Sequence, residues 1–257
     1  RKKRGSITLY SVIIQHLDMV KLIIQIPCKN EETTLPMTFA DLPKHIDGID
    51  VIEYLIINDG STDRTVEVAR ELGIHHIIEF KGNRGLGTAF HHGIMHSLML
   101  GADIVVNTDG DNQYPGNKIA ELIQPILDGK AEMVIGNRRP GSNPHFTTFK
   151  KFLQRLGNHV ISVVAGEKIP DSVSGFRAYS REALYEINVT SRFSYVVDTL
   201  IQAYKKGLNI VWIDIDTHAP TRPSRLFKSL WEHIGKTTMN ISRVYILYEP
   251  LKVFFIL

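Results

Sequence analysis

Val105-Val106-Asn107-Thr108-Asp109-Gly110-Asp111-Asn112-Gln113-Tyr114-Pro115 decides how this chain reads. Residues 102–106 are an apolar run with the character of a buried strand, and the run stops at two aspartates with one residue between them. Alternate residues of a strand point to opposite faces, so the two carboxylates converge only if the chain leaves extended geometry here. Gly110 permits such a turn at low cost. Two carboxylates held close repel each other unless a cation lies between them. Oxygen ligands of this kind suit Mg²⁺ or Mn²⁺ shared with substrate phosphates. On spacing alone, a polar turn with one Asp capping the next helix fits equally well.

Outward from this stretch, the chain repeats one unit. Residues 21–26 (KLIIQI), 51–58 (VIEYLIIN), 74–80, 102–107 and 132–136 are apolar, β-branched runs that read as strands. Between them lie helical stretches: one starting near Thr33 or Thr34, one over 63–72, one from a glycine-rich turn at 83–87 through about residue 100, and one over 115–127 with Pro115 in its first turn. Strands that are apolar throughout and alternate with helices predict an α/β fold, a Rossmann-like and mostly parallel sheet covered on both faces. Ligands of such sheets bind beyond the C-terminal strand ends. Asn30-Glu31, Asp59 to Asp63 and Asp109-Gly110-Asp111 each follow a strand, which predicts three acidic clusters along one edge.

The pattern changes after residue 137. A basic loop, Arg138-Arg139-Pro140-Gly141, precedes a helical stretch over 145–165; 171–179 (DSVSGFRAY) reads as short and β-like, 195–206 as helix and 208–215 as strand. Two prolines and two arginines in 218–225 predict a mobile loop. Residues 226–245 predict an amphipathic helix able to lie along a membrane. The apolar residues 244–257 are fewer than the ~20 needed to cross a bilayer; a surface-lying segment, the start of a span and a buried terminal helix all fit. The resulting division is an N-terminal extension (1–20), one domain (21–225) whose pattern changes between its halves 21–137 and 138–225, and a membrane-proximal segment (226–257).

The 257 residues suffice for one large domain, and 43% hydrophobic with 22% charged residues is ordinary globular composition. A net charge of +3 is too mild to argue for nucleic acid. One cysteine, Cys28, excludes an internal disulfide and fits a reducing compartment. No signal peptide is visible behind the basic start. The turn at 83–87 is neither a Walker loop nor GxGxxG. His92 and His96, four apart, lack a third metal-ligand pattern, and Cys28 has no base beside it in sequence.

Four motifs in order, Ile26-Pro27-Cys28-Lys29-Asn30-Glu31-Glu32, Asn58-Asp59-Gly60-Ser61-Thr62-Asp63, Thr108-Asp109-Gly110-Asp111-Asn112-Gln113-Tyr114-Pro115 and Ser174-Gly175-Phe176-Arg177-Ala178-Tyr179, together resemble family 2 glycosyltransferases. More narrowly they resemble the branch of dolichol-phosphate mannose synthases and polyprenyl-phosphate glycosyltransferases, over about residues 22–250. Cys28-Lys29 departs in a minor way from the residues common there. The resemblance implies a GT-A fold, a nucleotide-sugar donor and inverting transfer of a hexose from a GDP- or UDP-sugar to a polyprenyl phosphate, at the cytoplasmic face of a membrane. It makes 21–225 a catalytic domain, with 21–137 as the nucleotide-binding half and 138–225 as the acceptor half.

The resemblance also implies roles. Asp109 and Asp111 would hold the metal, with Gln113 as a further ligand. Pro27, Asn30 and Glu31 would line the nucleoside pocket, and Asp59 would meet base or ribose with Gly60 and Ser61 allowing close approach. Arg84 fits a donor contact or a solvated surface charge. Arg138, Arg139, Arg177, Arg222 and Arg225 are cationic candidates for the leaving diphosphate and the acceptor phosphate, because a guanidinium binds phosphate bidentately. Asp198 falls where relatives acting on hydroxyl acceptors carry a base, so transfer to a sugar hydroxyl is the alternative function. Sugar orientation and a structural pairing on its helix fit Asp198 as well. A phosphate acceptor, with a second pKa near ~6, is already anionic and needs no base. A nucleotidyltransferase is disfavoured because residues 27–32 are not a glycine-rich triphosphate loop.

Overall fold

A computed structural model of the protein describes residues 19–189, 191–219 and 230–248. Its centre is a seven-stranded sheet of β1 (Lys21–Cys28), β2 (Val51–Asn58), β3 (His76–Glu79), β4 (Ile104–Asn107), β5 (Met133–Asn137), β6 (Arg177–Ser180) and β7 (Ile210–Asp214). The strand order is β3-β2-β1-β4-β6-β5-β7. Pairings β1–β2, β1–β4, β2–β3 and β5–β7 are parallel, whereas β6 runs antiparallel to both β4 and β5. The sheet therefore contains strands from both sides of residue 137.

The apolar runs became strands because both sheet faces are covered. Ile23, Leu55, Ile57, Val105 and Ile135 face one core, shared with Phe90, Ile161, Tyr195 and Leu200. Leu22, Ile24, Ile26, Ile56 and Val134 face the other, with Leu35, Ile119 and Leu122. Helices α1 (Leu35–Asp41), α2 (Thr65–Glu71), α3 (Leu86–Met99), α4 (Ile119–Leu127), α5 (Thr148–Ala165), α6 (Arg181–Glu186), α7 (Val196–Lys205) and α8 (Leu230–Tyr248) accompany the strands.

Pro115 does not sit in the first turn of a long helix. It precedes a 3₁₀ turn, Gly116–Lys118, and α4 starts only at Ile119. The β-like stretch near Gly175 resolves into the short strand β6, whose direction has a consequence for the site. In a parallel sheet each strand brings its end to the ligand edge. Antiparallel β6 brings its beginning, so Ser174-Gly175 arrives where β4 delivers Asp109, with Arg177 in register with Asn107 and Ile135. Among the described residues no helix is long and apolar enough to cross a membrane.

Candidate active site

Along the C-terminal strand edge the backbone is repeatedly bent into the left-handed region. Asn30 (φ 55°) follows β1 by two residues, Gly60 (φ 68°) follows β2 by two, Arg139 (φ 49°) follows β5 by two, and Asn112 (φ 57°) lies beyond β4. Non-glycine residues rarely adopt this conformation unless their surroundings impose it, and such residues gather at functional sites. Polar contacts impose it here. The Asn30 amide donates to Ser61 Oγ at 2.9 Å, and its side-chain oxygen accepts from the Thr62 amide at 2.8 Å. The Glu31 amide donates to Thr65 Oγ1 at 2.8 Å. The two acidic clusters after β1 and β2 thus form one laced unit, with Pro27 closing β1 just below it.

Asp59 is buried, and its carboxylate accepts from the amides of Arg84 (2.6 Å) and Gly85 (3.0 Å). It thereby pins the glycine-rich turn that opens α3. Gly60 is required by that same turn, since a Cβ there would stand 2.5 Å from the Gly82 carbonyl carbon. The close approach expected at Gly60 is made by the chain's own backbone. The Arg84 side chain is exposed and its guanidinium lies 5.0 Å from the centre of the Phe80 ring.

The turn at Asp109-Gly110-Asp111 is held from below. The Gly110 carbonyl accepts from Thr34 Oγ1 (2.8 Å) and Thr38 Oγ1 (3.1 Å), and Thr34 Oγ1 also lies 2.8 Å from the Glu31 carboxylate. The expectation that Gly110 supplies the unusual dihedral is corrected: the left-handed residue is Asn112. Gly110 is glycine for lack of room, because a Cβ would meet Cys28 Sγ at 2.9 Å and Glu31 Cγ at 3.3 Å. Burial, then the charges of Glu31, Asp109 and Asp111, push the Cys28 thiol well up from its ordinary pKa. It stays protonated and packs, in keeping with the absence of a base beside it in sequence.

Asp111 accepts from the Gln113 amide (3.2 Å) and from Gln113 Nε2 (3.0 Å). Half a turn of the Gln113 amide would present oxygen in place of nitrogen, the orientation that a metal ligand needs. Among the described residues no three His, Cys, Asp or Glu side chains gather as a metal cluster. The turn instead offers two carboxylates and an amide, the hard donor set of a Mg²⁺ or Mn²⁺ site completed by substrate phosphate and water. These residues fit such an ion.

His218, assigned no role from sequence, is fastened to this turn. Its amide donates to the Gln113 carbonyl (3.0 Å), and Nδ1 lies 2.8 Å from the Asn112 carbonyl. The start of the loop expected to be mobile is therefore tied down at the acidic turn. Only the tie between residues 106 apart reveals this, and no local motif signals it.

Gly175 forms the wall opposite Asp109; a Cβ there would stand 3.6 Å from both carboxylate oxygens of Asp109. Two tyrosines hold it: the Gly175 amide donates to Tyr114 Oη (2.9 Å) and its carbonyl accepts from Tyr195 Oη (3.1 Å). Asn107 Nδ2 reaches the same carbonyl (3.0 Å) and Tyr195 Oη (2.7 Å), and Gln25 holds Asn107 in turn. Tyr195 is stacked on Phe90 with centroids 3.7 Å apart. Burial pushes the Tyr114 hydroxyl up to about 12, so it remains a neutral acceptor and donor. Tyr114 is quoted within the acidic motif and Tyr195 at the start of a helix, but neither is given a role from sequence, because no local pattern joins them to Gly175.

Arg177 requires a correction. Its side chain is fully buried, and its guanidinium donates to the carbonyls of Ser174 (2.7 Å), Val196 (2.7 Å) and Ser172 (3.4 Å) and to Thr199 Oγ1 (2.9 Å). These donors fasten residues 172–174 to α7, so the buried guanidinium is engaged with the chain itself and Arg177 positions the Gly175 wall. Asp198 is also buried, in the first turn of α7, where it accepts from Gln202 Nε2 at 2.7 Å. Gln202 in turn holds both the amide and the carbonyl of Asn188.

Arg138 makes a bidentate pair with Asp171, at 2.7 Å and 2.8 Å, and Asp171 is fully buried. Burial works against the Arg138 charge, but Asp171 more than offsets it and its pKa lies above the ordinary value. Arg139 pairs with Asp216 in a more exposed position. Arg222 and Arg225 lie outside the described residues, as do 1–18 and 249–257.

Comparison with known proteins agrees with this geometry. Residues 23–187 match the model of glycosyl transferase family 2. The UDP-N-acetylglucosamine–dolichyl-phosphate N-acetylglucosaminyltransferase of Methanococcus voltae is 31% identical over 216 residues, covering 75% of this chain and 83% of that protein. The polyprenol monophosphomannose synthase of Mycolicibacterium smegmatis is 25% identical over 206 residues, 76% of each chain. Among solved structures, glucosyl-3-phosphoglycerate synthase from Mycobacterium tuberculosis, in complex with Mn²⁺, UDP and glucosyl-3-phosphoglycerate, superposes with a TM-score of 0.67 at 19% identity. The match covers 96% of this chain and 86% of that one.

Proposed function

Because this chain belongs to glycosyl transferase family 2 and has its GT-A fold, we propose that it moves a hexose from a GDP- or UDP-sugar to a polyprenyl phosphate, with inversion at the anomeric carbon. The carrying observation is the pairing of the Asp109–Asp111 turn with an adjacent edge whose one buried carboxylate partner, Asp171, already holds a cation, Arg138. Such an arrangement suits two phosphorylated partners, one on each side. A Mg²⁺ or Mn²⁺ ion on Asp109, Asp111 and Gln113 would neutralise charge on the departing nucleoside diphosphate. Asn30, Glu31 and the turn pinned by Asp59 line the donor side. Arg138 and Arg139, with Arg222 and Arg225 as further candidates, attract and orient the acceptor.

In the transfer, an acceptor phosphate oxygen attacks the anomeric carbon opposite the leaving group. The bond from that carbon to the diphosphate oxygen breaks, and the electron pair departs with the diphosphate. The acceptor is already anionic at neutral pH, so no residue needs to take its proton. Asp198, buried and held by Gln202, has the surroundings of a structural carboxylate, which favours a phosphate acceptor over a hydroxyl one. The named relatives that use dolichyl phosphate or make polyprenol monophosphomannose support the same acceptor class. Such an acceptor places the enzyme at a membrane surface.

A panel of GDP- and UDP-sugars with polyprenyl phosphate and Mn²⁺ tests the reading, with the product anomer assigned by NMR. Sugar-lipid product of inverted configuration is expected, and Asp198→Asn should keep transfer within about threefold. Transfer to a soluble sugar hydroxyl alone, abolished by Asp198→Asn, would establish the hydroxyl-acceptor alternative.

A further inference from the structure

Helix α5 leaves a large apolar face uncovered. Phe149, Phe152, Leu156, Val160 and Val163 are 41–70% exposed. Their spacing of three, four, four and three residues confines them to an arc of roughly 80° at 3.6 residues per turn. The opposite face carries Asn158, Ile161 and Ala165, all buried. Five large apolar side chains in one stripe is not the isolated exposure common on soluble surfaces.

Charge indicates what covers the stripe. Between residues 133 and 166 the chain has five Lys and Arg residues and no Asp or Glu. Lys150 and Arg155 are exposed and flank the stripe on its two sides, and His159 adjoins Arg155. A second copy of α5 packed on this face would set cations against cations. An apolar stripe on a helix whose charged residues are all basic is complementary to acyl chains beneath anionic headgroups.

The helix is also tied to the acceptor edge. Asn158, on its buried face, donates to the Pro170 carbonyl and accepts from the amide and hydroxyl of Ser172, bracketing the Asp171 that holds Arg138. We propose that the outer face of α5 is a docking surface for an anionic lipid bilayer, on which the helix lies flat with the Arg138–Asp171 edge beside it. The proposal deepens the polyprenyl-phosphate reading by naming the surface that meets the lipid phase, and vesicle binding is measured without any sugar transfer.

Flotation of the full chain with phosphatidylcholine vesicles, with and without phosphatidylglycerol, is the test. Binding is expected with phosphatidylglycerol and should weaken as salt rises. The variant F152E/V163E should lower it by about tenfold or more, and F152L/V163I should restore it. Both sites are exposed, so thermal unfolding should be unchanged; F149S is the second probe if the double variant fails to fold. Transfer to a short-chain, water-soluble prenyl phosphate should be equal in wild type and F152E/V163E. Equal flotation of wild type and F152E/V163E would overturn the proposal, as would a solution dimer that F152E/V163E dissociates, which would assign the stripe to a second copy. Absence of transfer to any prenyl phosphate would defeat the functional reading and leave the flotation result to decide this one.

Discussion

The two sides of the candidate site, one proposed for the donor and one for the acceptor, are built on different principles. On the donor side, the turns after β1, β2 and β4 hold one another through neutral and charge-assisted hydrogen bonds, many of them to backbone amides, such as Ser61 with Asn30, Thr65 with Glu31 and Asp59 with Gly85. On the acceptor side, residues 137–175 carry a buried ion pair, Arg138–Asp171, are fastened by hydrogen bonds involving Asn158, Arg177, Tyr114 and Tyr195, and include α5, which keeps an apolar face outward. Under the proposed function, a nucleotide is small and uniform, so a pre-formed cradle suits it, whereas a long lipid is held mostly by its own phase and suits a surface that tolerates lipid. On that reading, the difference teaches that rigidity follows the ligand.

The contrast can be broken most forcefully at the acidic turn. Asp109→Ala should lower sugar transfer by about 100-fold or more while leaving the fold intact, because the side chain serves charge development and not packing. Thermal stabilisation by nucleoside diphosphate with Mn²⁺ should vanish as well. Retention of both would remove the metal role. On the acceptor side the expected loss is of stability. Arg138→Ala strands the buried Asp171 carboxylate and should cost about 3–5 kcal/mol in urea unfolding, of which the R138M/D171L pair should recover most. If R138A is no less stable than wild type, the acceptor edge does not rest on this pair.

A smaller effect sharpens the donor side. Asp63 is partly buried, which opposes its charge, but hydrogen bonds from Thr65 and the Glu32 amide outweigh this and hold its folded pKa below the ordinary carboxylate value. Its contribution is fully present above the unfolded-state pKa and is lost as pH falls through the lowered folded one. Asp63→Asn should therefore flatten the acid limb of the stability curve below about pH 4. An unchanged slope would show that the lacing carries no titratable component.

Much of the donor side was legible because its signals are local. An apolar run followed within two residues by Asn30, Asp59 or Asp109 states both the strand and the side of the sheet on which its end is used. The acceptor side was less legible because its determinants are long-range. Arg177 has the composition of a phosphate ligand, and only the arrival of Ser172, Ser174 and Val196 around it makes it a structural strut. Tyr114 and Tyr195 carry no role in the sequence, 81 residues apart, until both are found on Gly175. Gly110 was expected to bend the chain, but tertiary crowding by Cys28 explains it and Asn112 does the bending.

Antiparallel β6 has a further consequence for how the protein is made. During synthesis β2, β3 and β4 can each pair as they emerge, since each has a partner already present. β5 has none, because both of its neighbours, β6 and β7, lie later in the chain. Residues 133–137 must therefore wait, apolar and unpaired, until residues 177–180 arrive to close the open edge of β4. At about 5–20 residues per second this interval lasts several seconds. A ribosome-bound chain halted before residue 177 should present the open edge of β4 and a wholly unpaired β5, and this is the window in which chaperone capture or misassembly would compete with folding.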